Sequence, residues 1–154
     1  MTAPAPTKSR ILPPVYFLAA LIAMVCLHYL LPGAQLFGSP IRYLGALPVV
    51  AGLGFMLWAA FLFRRAGTTI KPFQESSALI VTGPYRVSRN PIYLAMVIIL
   101  LGVGILLGSA VPFVAIPLFA VLIARRVIRW EEFALKRTFG QAYRDYGTKV
   151  RRWL

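Results

Sequence analysis

Residues 43–63 read YLGALPVVAGLGFMLWAAFLF, a stretch without a charged side chain. At a rise of about 1.5 Å per residue, a helix of this length crosses the roughly 30 Å hydrocarbon core of a bilayer. Two arginines, Arg64 and Arg65, follow directly. The pattern predicts a membrane-spanning helix that ends at a polar membrane surface.

Three further apolar runs, at 11–31, 92–108 and 111–124, predict helices of the same kind. The last two are separated only by Ser109 and Ala110, which indicates a tight helical hairpin. Of the 154 residues, 59% are hydrophobic and 14% charged, whereas soluble domains carry about 25% charged residues. The sequence therefore predicts one all-α domain, a polytopic bundle of about four transmembrane helices.

The N-terminal segment resembles either a signal peptide or a retained helix. Residues 1–10, rich in Pro, Thr and Ala, are predicted to be disordered, and Lys8 and Arg10 resemble the charged start of a signal peptide. However, the apolar run that follows is about 20 residues long and lacks an Ala-x-Ala cleavage pattern. We expect this run to be a retained helix.

The charge is distributed unevenly along the chain. Seventeen Lys and Arg side chains face four acidic ones, a net charge of +13. Basic residues precede the first helix, lie between the second and third, and follow the fourth, whereas the turn at 32–40 has none and Arg42 stands alone. The positive-inside rule places both termini and the central loop in the cytoplasm. Topology and anionic lipid account for the charge, so no nucleic-acid partner is expected.

The lone cysteine, the lone histidine and the two Gly-x-Gly pairs are expected to have structural rather than catalytic roles. Cys26 is the single cysteine, which excludes an intramolecular disulfide and a thiolate metal cluster, and no metal site is expected. His28 is expected to snorkel or to hydrogen-bond between helices. The Gly-x-Gly pairs at 52–54 and 102–104 are suited to close helix packing within or between chains, and oligomeric state stays open.

Two polar segments, 64–91 and 125–154, remain as places for a functional site. In the first, Gly83-Pro84 and Asn90-Pro91 are turn signals, and Pro91 is placed at the first turn of the third helix. The second is predicted to extend the fourth helix into the cytoplasm as a C-terminal helix over 125–146.

That C-terminal helix carries the adjacent acids Glu131 and Glu132. Glu132 has Arg129 three residues before it and Lys136 four after it, which predicts surface ion pairing. The helical neighbours of Glu131 at the same spacings are all apolar. A carboxylate there needs a cationic or donor partner, either a ligand ammonium or an arginine of the central loop.

Taken together, these motifs resemble the isoprenylcysteine carboxyl methyltransferase family and its phospholipid methyltransferase relatives. The resemblance runs from about Ala66 to the C-terminus and is strongest to the bacterial branch. Its elements are Gly67-Thr68-Thr69, Gly83-Pro84-Tyr85, Arg89-Asn90-Pro91-Ile92-Tyr93, Glu131-Glu132, Phe139-Gly140 with Tyr143 and Tyr146, and the ending at 150–154.

The resemblance implies an S-adenosylmethionine-dependent methyltransferase of the bacterial inner membrane. It places Glu131 against the α-ammonium of the cofactor. It also implies two candidate catalytic residues, Arg89 and an acceptor-binding arginine that corresponds to Arg125, Arg126 or Arg129, of which Arg126 is favoured. The residues implied to contact the cofactor are Ser77, Ala78, Leu79, Ile80, Tyr85, Asn90, Pro91, Ile92, Tyr93 and Glu131.

The acceptor is expected to be hydrophobic or lipid-like, possible classes being a carboxylate, a phospholipid amine or a small thiol. The eukaryotic isoprenylcysteine enzymes have His where this chain has Asn90, and Asn can hydrogen-bond without acting as a base. A non-catalytic membrane binding protein is the alternative from another class. A transporter is disfavoured because the first two helices carry no mid-membrane ionisable residue besides His28.

Overall fold

The computed structural model describes residues 11–31, 33–67 and 78–154. These residues form helices and connecting turns, and the one β feature among them is an isolated bridge between Gln35 and Ser109. The predicted all-α class is confirmed. The predictions for residues 1–10, for Thr68 and Thr69 and for Ser77 lie outside the described residues. The α-helices are α1 (Pro13–Leu30), α2 (Ala46–Arg65), α3 (Pro91–Leu107), α4 (Ala115–Ile123) and α5 (Arg129–Lys149).

The helices agree with the predicted spans to within a few residues. α1, α2 with its preceding 3₁₀ turn, and the long helix from Val111 to Lys149 are each long and apolar enough to cross a membrane. α3, with 17 residues, is shorter and carries no charge. Pro91 occupies its first turn, as predicted, because a proline there removes only an N–H that has no helical partner.

One end of the bundle is closed by the loop after α1, which packs onto the turn between α3 and α4. The Leu36 N–H donates to the Gly108 carbonyl at 2.8 Å, and the Ala110 N–H donates to the Ala34 carbonyl at 3.0 Å. His28 Nδ1 lies 2.7 Å from Ser109 Oγ, which confirms the predicted hydrogen bond between elements. These contacts satisfy backbone and side-chain polar groups at an end that carries little charge.

The opposite end brings together the last turn of α2, the first turn of α3 and the start of α5. The Phe63 ring of α2 meets the Tyr85 ring edge-on, with centroids 5.6 Å apart. Tyr93 of α3 hydrogen-bonds to Glu131 of α5. Arg64 and Arg65, the basic residues at the end of α2, therefore lie at the same end as the candidate functional residues.

α2 and α3 pack backbone to backbone through glycines. A Cβ atom at Gly102 would lie 2.6 Å from the Gly45 carbonyl oxygen and 2.7 Å from Val49 Cγ2. A Cβ atom at Gly52 would lie 2.7 Å from Ile99 Cγ1, whereas one at Gly54 would meet nothing within 4 Å. Gly52 and Gly102 thus serve close packing within the chain, as small residues do where membrane helices approach closely.

The core is centred on α3 and continues into α4 and the start of α5, while much of α1 and α2 faces outward with apolar side chains. This division suits a lipid solvent, in which exposed Leu and Val carry no hydrophobic penalty. The buried core cluster comprises Met24, Tyr93, Met96, Leu100, Ala115, Phe119, Ile123, Val127 and Ile128.

α4 passes into α5 through a π-helical turn at Ala124–Ile128, so the predicted continuation of the fourth helix is confirmed. The apolar part of this long helix ends at Ala124, and charged residues begin at Arg125. A π turn adds a residue to a helical turn and rotates the side chains that follow. Farther on, Gly140 has φ 51° and ψ −117°, which kinks α5 before it ends at Lys149.

The close α2–α3 contact predicts that Gly102→Ala lowers the midpoint of thermal unfolding in detergent, because overpacking costs about 1–3 kcal/mol. Gly54→Ala is the matched control. Its methyl group enters open space, and a helix interior favours Ala over Gly by about 1 kcal/mol, so its midpoint should stay equal or rise. Equal midpoints for the two variants would contradict this packing.

Candidate functional site

The candidate site begins where α3 begins. A 3₁₀ turn at Gly83–Arg86 precedes α3, and Asn90, with φ −130° and ψ 56°, has a non-helical backbone directly before the helix starts at Pro91. Tyr93 follows within the first turn and is buried. Its hydroxyl donates a hydrogen bond of 2.7 Å to Glu131 Oε1, which joins α3 to α5.

Glu131 has a polar partner but no basic one among the residues that the structure describes. Val127 and Ile128, its neighbours one helical turn earlier, are fully buried, which confirms that Glu131 lies on an apolar stripe. The alternative partner, an arginine of the central loop, is not found there, since Arg89 pairs with Glu132 instead. Within the described ranges, no basic side chain therefore matches the negative charge of the ionised Glu131 carboxylate.

The surroundings of Glu131 disfavour that charge. Glu131 lies outside the apolar spanning run, and desolvation by the surrounding protein raises the pKa of its carboxyl to about 7. The Tyr93 hydrogen bond lowers this pKa, and the adjacent Glu132 raises it further. A cation beside Glu131 would favour the ionised carboxylate, and the ionised carboxylate would in turn bind the cation more tightly than the neutral carboxyl does.

Tyr85 is a second buried tyrosine near this carboxylate. It is 7% exposed, and its carbonyl oxygen accepts a 2.6 Å hydrogen bond from the Tyr146 hydroxyl of α5. Burial, with Tyr146 and Glu131 nearby, raises the pKa of Tyr85 well above its ordinary value, so the ring stays neutral. The structure thus brings together the predicted residues Tyr85, Tyr93 and Glu131.

Asn90 points elsewhere than its predicted role suggests. Its side-chain Nδ2 donates to the Arg152 carbonyl at 3.0 Å, and its backbone N–H donates to Ser88 Oγ at 3.1 Å. Pro91 is buried and Ile92 is partly buried beside it. The Asn90 side chain therefore ties the loop to the C-terminal tail rather than facing Glu131.

The predicted surface ion pairing of Glu132 is wrong. Glu132 is buried, and its carboxylate accepts hydrogen bonds from Arg152 Nε at 2.9 Å and Arg152 Nη2 at 2.6 Å. Arg89 Nη2 lies 3.6 Å from the same carboxylate. The helical spacing to Arg129 and Lys136 misled the prediction because the tail folds back and turns this face of α5 inward.

The two predicted catalytic arginines have different surroundings. Arg89 is held by Glu132, and its backbone N–H donates to the Arg151 carbonyl at 3.0 Å, which makes it part of the packing between loop and tail. Arg126 is exposed on the π turn and makes no hydrogen bond or ion pair with a described residue. Neither guanidinium contacts Glu131 or Tyr93 in this structure.

The remaining predicted cofactor residues lie at a separate cleft. Ala78, Leu79 and Ile80 line an open cleft of about 290 Å³. Neither Tyr93 nor Glu131 lines this cleft, so the predicted residues fall into two groups at the same end of the bundle. The other residues that line it are Leu62, Arg65, Ala66, Val81 and Thr82.

Ser88 and Arg152 are the residues of this region that the sequence did not reveal. Ser88 is fully buried, and its hydroxyl donates to the Arg152 carbonyl at 3.1 Å. Arg152 lies 20 residues after its carboxylate partner Glu132. Helical periodicity carries no signal over that separation, because the contact depends on how the tail folds back.

Comparison with curated proteins finds relatives named as methyltransferases. Two rice proteins, from Oryza sativa subsp. indica and japonica, are both named "Probable protein-S-isoprenylcysteine O-methyltransferase". Each is 29% identical to this chain over 112 residues, which are 71% of this chain and 59% of the rice protein. This chain therefore matches less than two thirds of those relatives' length.

An uncharacterized protein of Haemophilus influenzae is 39% identical over 62 residues, which are 40% of this chain and 98% of that protein. No solved structure matches.

The family comparison covers most of the region described above. The profile of the phospholipid methyltransferase family matches residues 41–142, from the turn before α2 to the kinked part of α5. That range includes the loop before α3, Tyr93 and Glu131. It agrees with the resemblance seen in the motifs, and the chain therefore belongs to the phospholipid methyltransferase family.

Proposed function

We propose that this protein is a membrane-embedded methyltransferase that uses S-adenosylmethionine to methylate a hydrophobic or lipid-like acceptor. The observation that carries the proposal is the Glu131 carboxylate. It is desolvated, held by Tyr93, and without a basic partner among the described residues. Family membership and the printed names of the rice relatives support the same class of reaction.

The residues fit the donor's chemistry. S-adenosylmethionine carries an α-ammonium and a sulfonium, and an unmatched carboxylate in a poorly hydrated site favours such a cation. The Tyr93 hydroxyl donates a hydrogen bond to that carboxylate, and the buried Tyr85 lies near it. The cleft lined by Leu79 and Ile80 offers an apolar surface for the purine ring.

When bound, the donor supplies a methyl group already activated by a positive sulfur, so the protein has little acid–base work to perform. Tyr93 holds the Glu131 carboxylate in one orientation through its hydrogen bond. The bond from Tyr146 to the Tyr85 carbonyl holds the 3₁₀ turn against α5 and limits access of water. Orientation and exclusion of water are the main contributions expected of an enzyme for such a displacement.

We propose a carboxylate as the acceptor group. A carboxylate attacks a methyl sulfonium without losing a proton, and Asn90, already engaged with the Arg152 carbonyl, is unable to accept one as a base. The exposed Arg126 is suited to hold an acceptor anion. A phospholipid amine is the second candidate, favoured by the description of the matching family.

We place the protein in the bacterial inner membrane with both termini in the cytoplasm. Clustering of basic residues at one end of the bundle supports this orientation. The donor then enters from the cytoplasm, and the acceptor reaches the site from the bilayer.

The test of catalysis is to incubate purified protein and native membrane extract with methyl-labelled S-adenosylmethionine and to identify products by mass spectrometry. We expect a lipid-soluble product whose label is released by mild alkali, as for a methyl ester. A label stable to alkali would point to an N-methylated lipid. Retained cofactor binding without any labelled product would overturn catalysis and favour the non-catalytic binding protein.

Replacing Glu131 with Ala is expected to weaken S-adenosylmethionine binding by about 30-fold, since a hydrogen bond or ion pair to a charged group contributes about 2 kcal/mol. Tyr93→Phe should lose less affinity for S-adenosylmethionine, because the Glu131 carboxylate remains. Asp145→Asn is the matched control, an acid on α5 whose partner is the exposed Gln141. Calorimetry in detergent measures all three, and unchanged affinity for both site variants would contradict the cofactor assignment.

Cofactor affinity is expected to depend on pH through Glu131. Its folded-state pKa is raised to about 7, so below that pH the carboxyl holds a proton that binding must displace. Affinity should fall by up to about tenfold per pH unit there. On the alkaline side it should fall above about 8, where the donor's α-amino group loses its charge.

Binding isotherms between pH 5.5 and 9 measure this profile. Glu131→Gln, which does not titrate, should lose the acidic limb while keeping the alkaline one. An acidic limb that persists in Glu131→Gln would show that another group causes it.

A further inference from the structure

The C-terminal tail folds back over the loop that leads into α3. α5 ends at Lys149, and Val150 turns the chain into an extended conformation. The Arg89 N–H donates to the Arg151 carbonyl, and both Ser88 Oγ and Asn90 Nδ2 donate to the Arg152 carbonyl. Three donors of one loop thus hold two consecutive carbonyls of the tail.

The tail also holds α5 through a charged pair. Arg152 forms two hydrogen bonds to the buried Glu132, at 2.9 Å from Nε and 2.6 Å from Nη2. This two-point geometry fixes orientation as well as distance. Trp153 then packs against the core cluster that contains Tyr93 and Ile128. The tail therefore joins the loop, α5 and the start of α3 at one place.

Glu131 and Glu132 are adjacent and point about 100° apart around α5. Glu132 is bound to the tail, and Glu131 is bound to Tyr93 of α3. Rotation of α5 about its axis would disturb both contacts together. A change at the Glu132 contact that rotates α5 would therefore also move the Glu131 carboxylate relative to Tyr93.

We propose that Arg152 is a positioning residue for cofactor binding: by clasping Glu132, it holds the Glu131 carboxylate against Tyr93, where it receives the donor's α-ammonium. This inference rests on the proposed function. It assigns a role to the tail, whose residues lie beyond the region matched by the family profile.

The role is distinct from general stabilisation. Removing one partner of a fully buried ion pair leaves an uncompensated charge and is strongly destabilising, but the Arg152 side chain is 38% exposed, so this pair is only partly removed from water. In Arg152→Gln, Arg89 still lies 3.6 Å from Glu132 and partly compensates its charge. We therefore expect Arg152→Gln to fold into the same helical bundle but to hold α5 less firmly in its orientation.

The test compares Arg152→Gln with Arg151→Gln. The two substitutions remove the same charge from neighbouring positions, but the exposed Arg151 side chain makes no hydrogen bond or ion pair with a described residue. Two ligands are titrated into each purified full-length variant. S-adenosylhomocysteine carries the α-ammonium, and 5′-methylthioadenosine lacks the amino-acid end.

Arg152→Gln is expected to weaken S-adenosylhomocysteine binding by about tenfold, since a displacement approaching 1 Å is costly, while leaving 5′-methylthioadenosine binding unchanged. Arg151→Gln should change neither. Unchanged binding of both ligands to Arg152→Gln would overturn the proposal. Equal weakening of both ligands would also overturn it, because a general structural defect does not distinguish them.

Glu131→Ala separates this inference from the proposed function. If Glu131→Ala loses affinity for S-adenosylhomocysteine and Arg152→Gln does not, the positioning role fails and the cofactor site stands. If neither variant loses affinity, the cofactor site fails with it. In the double variant the two losses should be less than additive, because both act through one carboxylate.

Arg152→Lys provides a second variant should Arg152→Gln fail to fold. It keeps the charge but loses the two-point geometry. If Arg152→Lys loses affinity for S-adenosylhomocysteine alone, and loses less than Glu131→Ala does, the positioning role is supported. If it binds S-adenosylhomocysteine with wild-type affinity, the positioning role is overturned.

Discussion

Two adjacent acids at the start of α5, the half-buried Glu131 and the buried Glu132, each need a separate polar partner. Glu132 is matched within the chain by Arg152 and Arg89. Glu131 receives only the Tyr93 hydroxyl among the described residues. The difference follows from their directions around the helix, because one faces the basic loop and tail and the other faces the apolar core. Neighbouring residues thereby have different partners, two arginines for Glu132 and a tyrosine hydroxyl for Glu131.

The membrane explains why this division occurs at one end of the bundle. In hydrocarbon, backbone polar groups have to be satisfied within each helix, so the spanning segments are apolar and regular. Loops, turns and charged side chains gather at the ends. The end with Arg64 and Arg65 also receives the loop before α3, the π turn and the tail. The candidate site around Tyr93 and Glu131 lies at this end.

Much of the architecture could be predicted from local patterns. Span lengths follow from runs of apolar residues, the start of α3 follows from Pro91, and the apolar surroundings of Glu131 follow from helical spacing. The same spacing argument gave the wrong result for Glu132, whose true partner is 20 residues away. Asn90 likewise proved to bind the tail, a contact that no local pattern indicates. Local patterns predict which side chains lie on a helix face, whereas the fold determines which residues contact that face.

The sequence by itself determined the membrane class, the helical fold, the asymmetry of charge and the family, because length, hydropathy and short motifs are properties of contiguous residues. Only the tertiary structure decided which acid pairs with arginines and which accepts a hydrogen bond from a tyrosine. That choice depends on the rotation of α5 after its π turn and on the return of the tail across α3. Both bring together residues distant along the chain, and the energies of such contacts depend on three-dimensional packing.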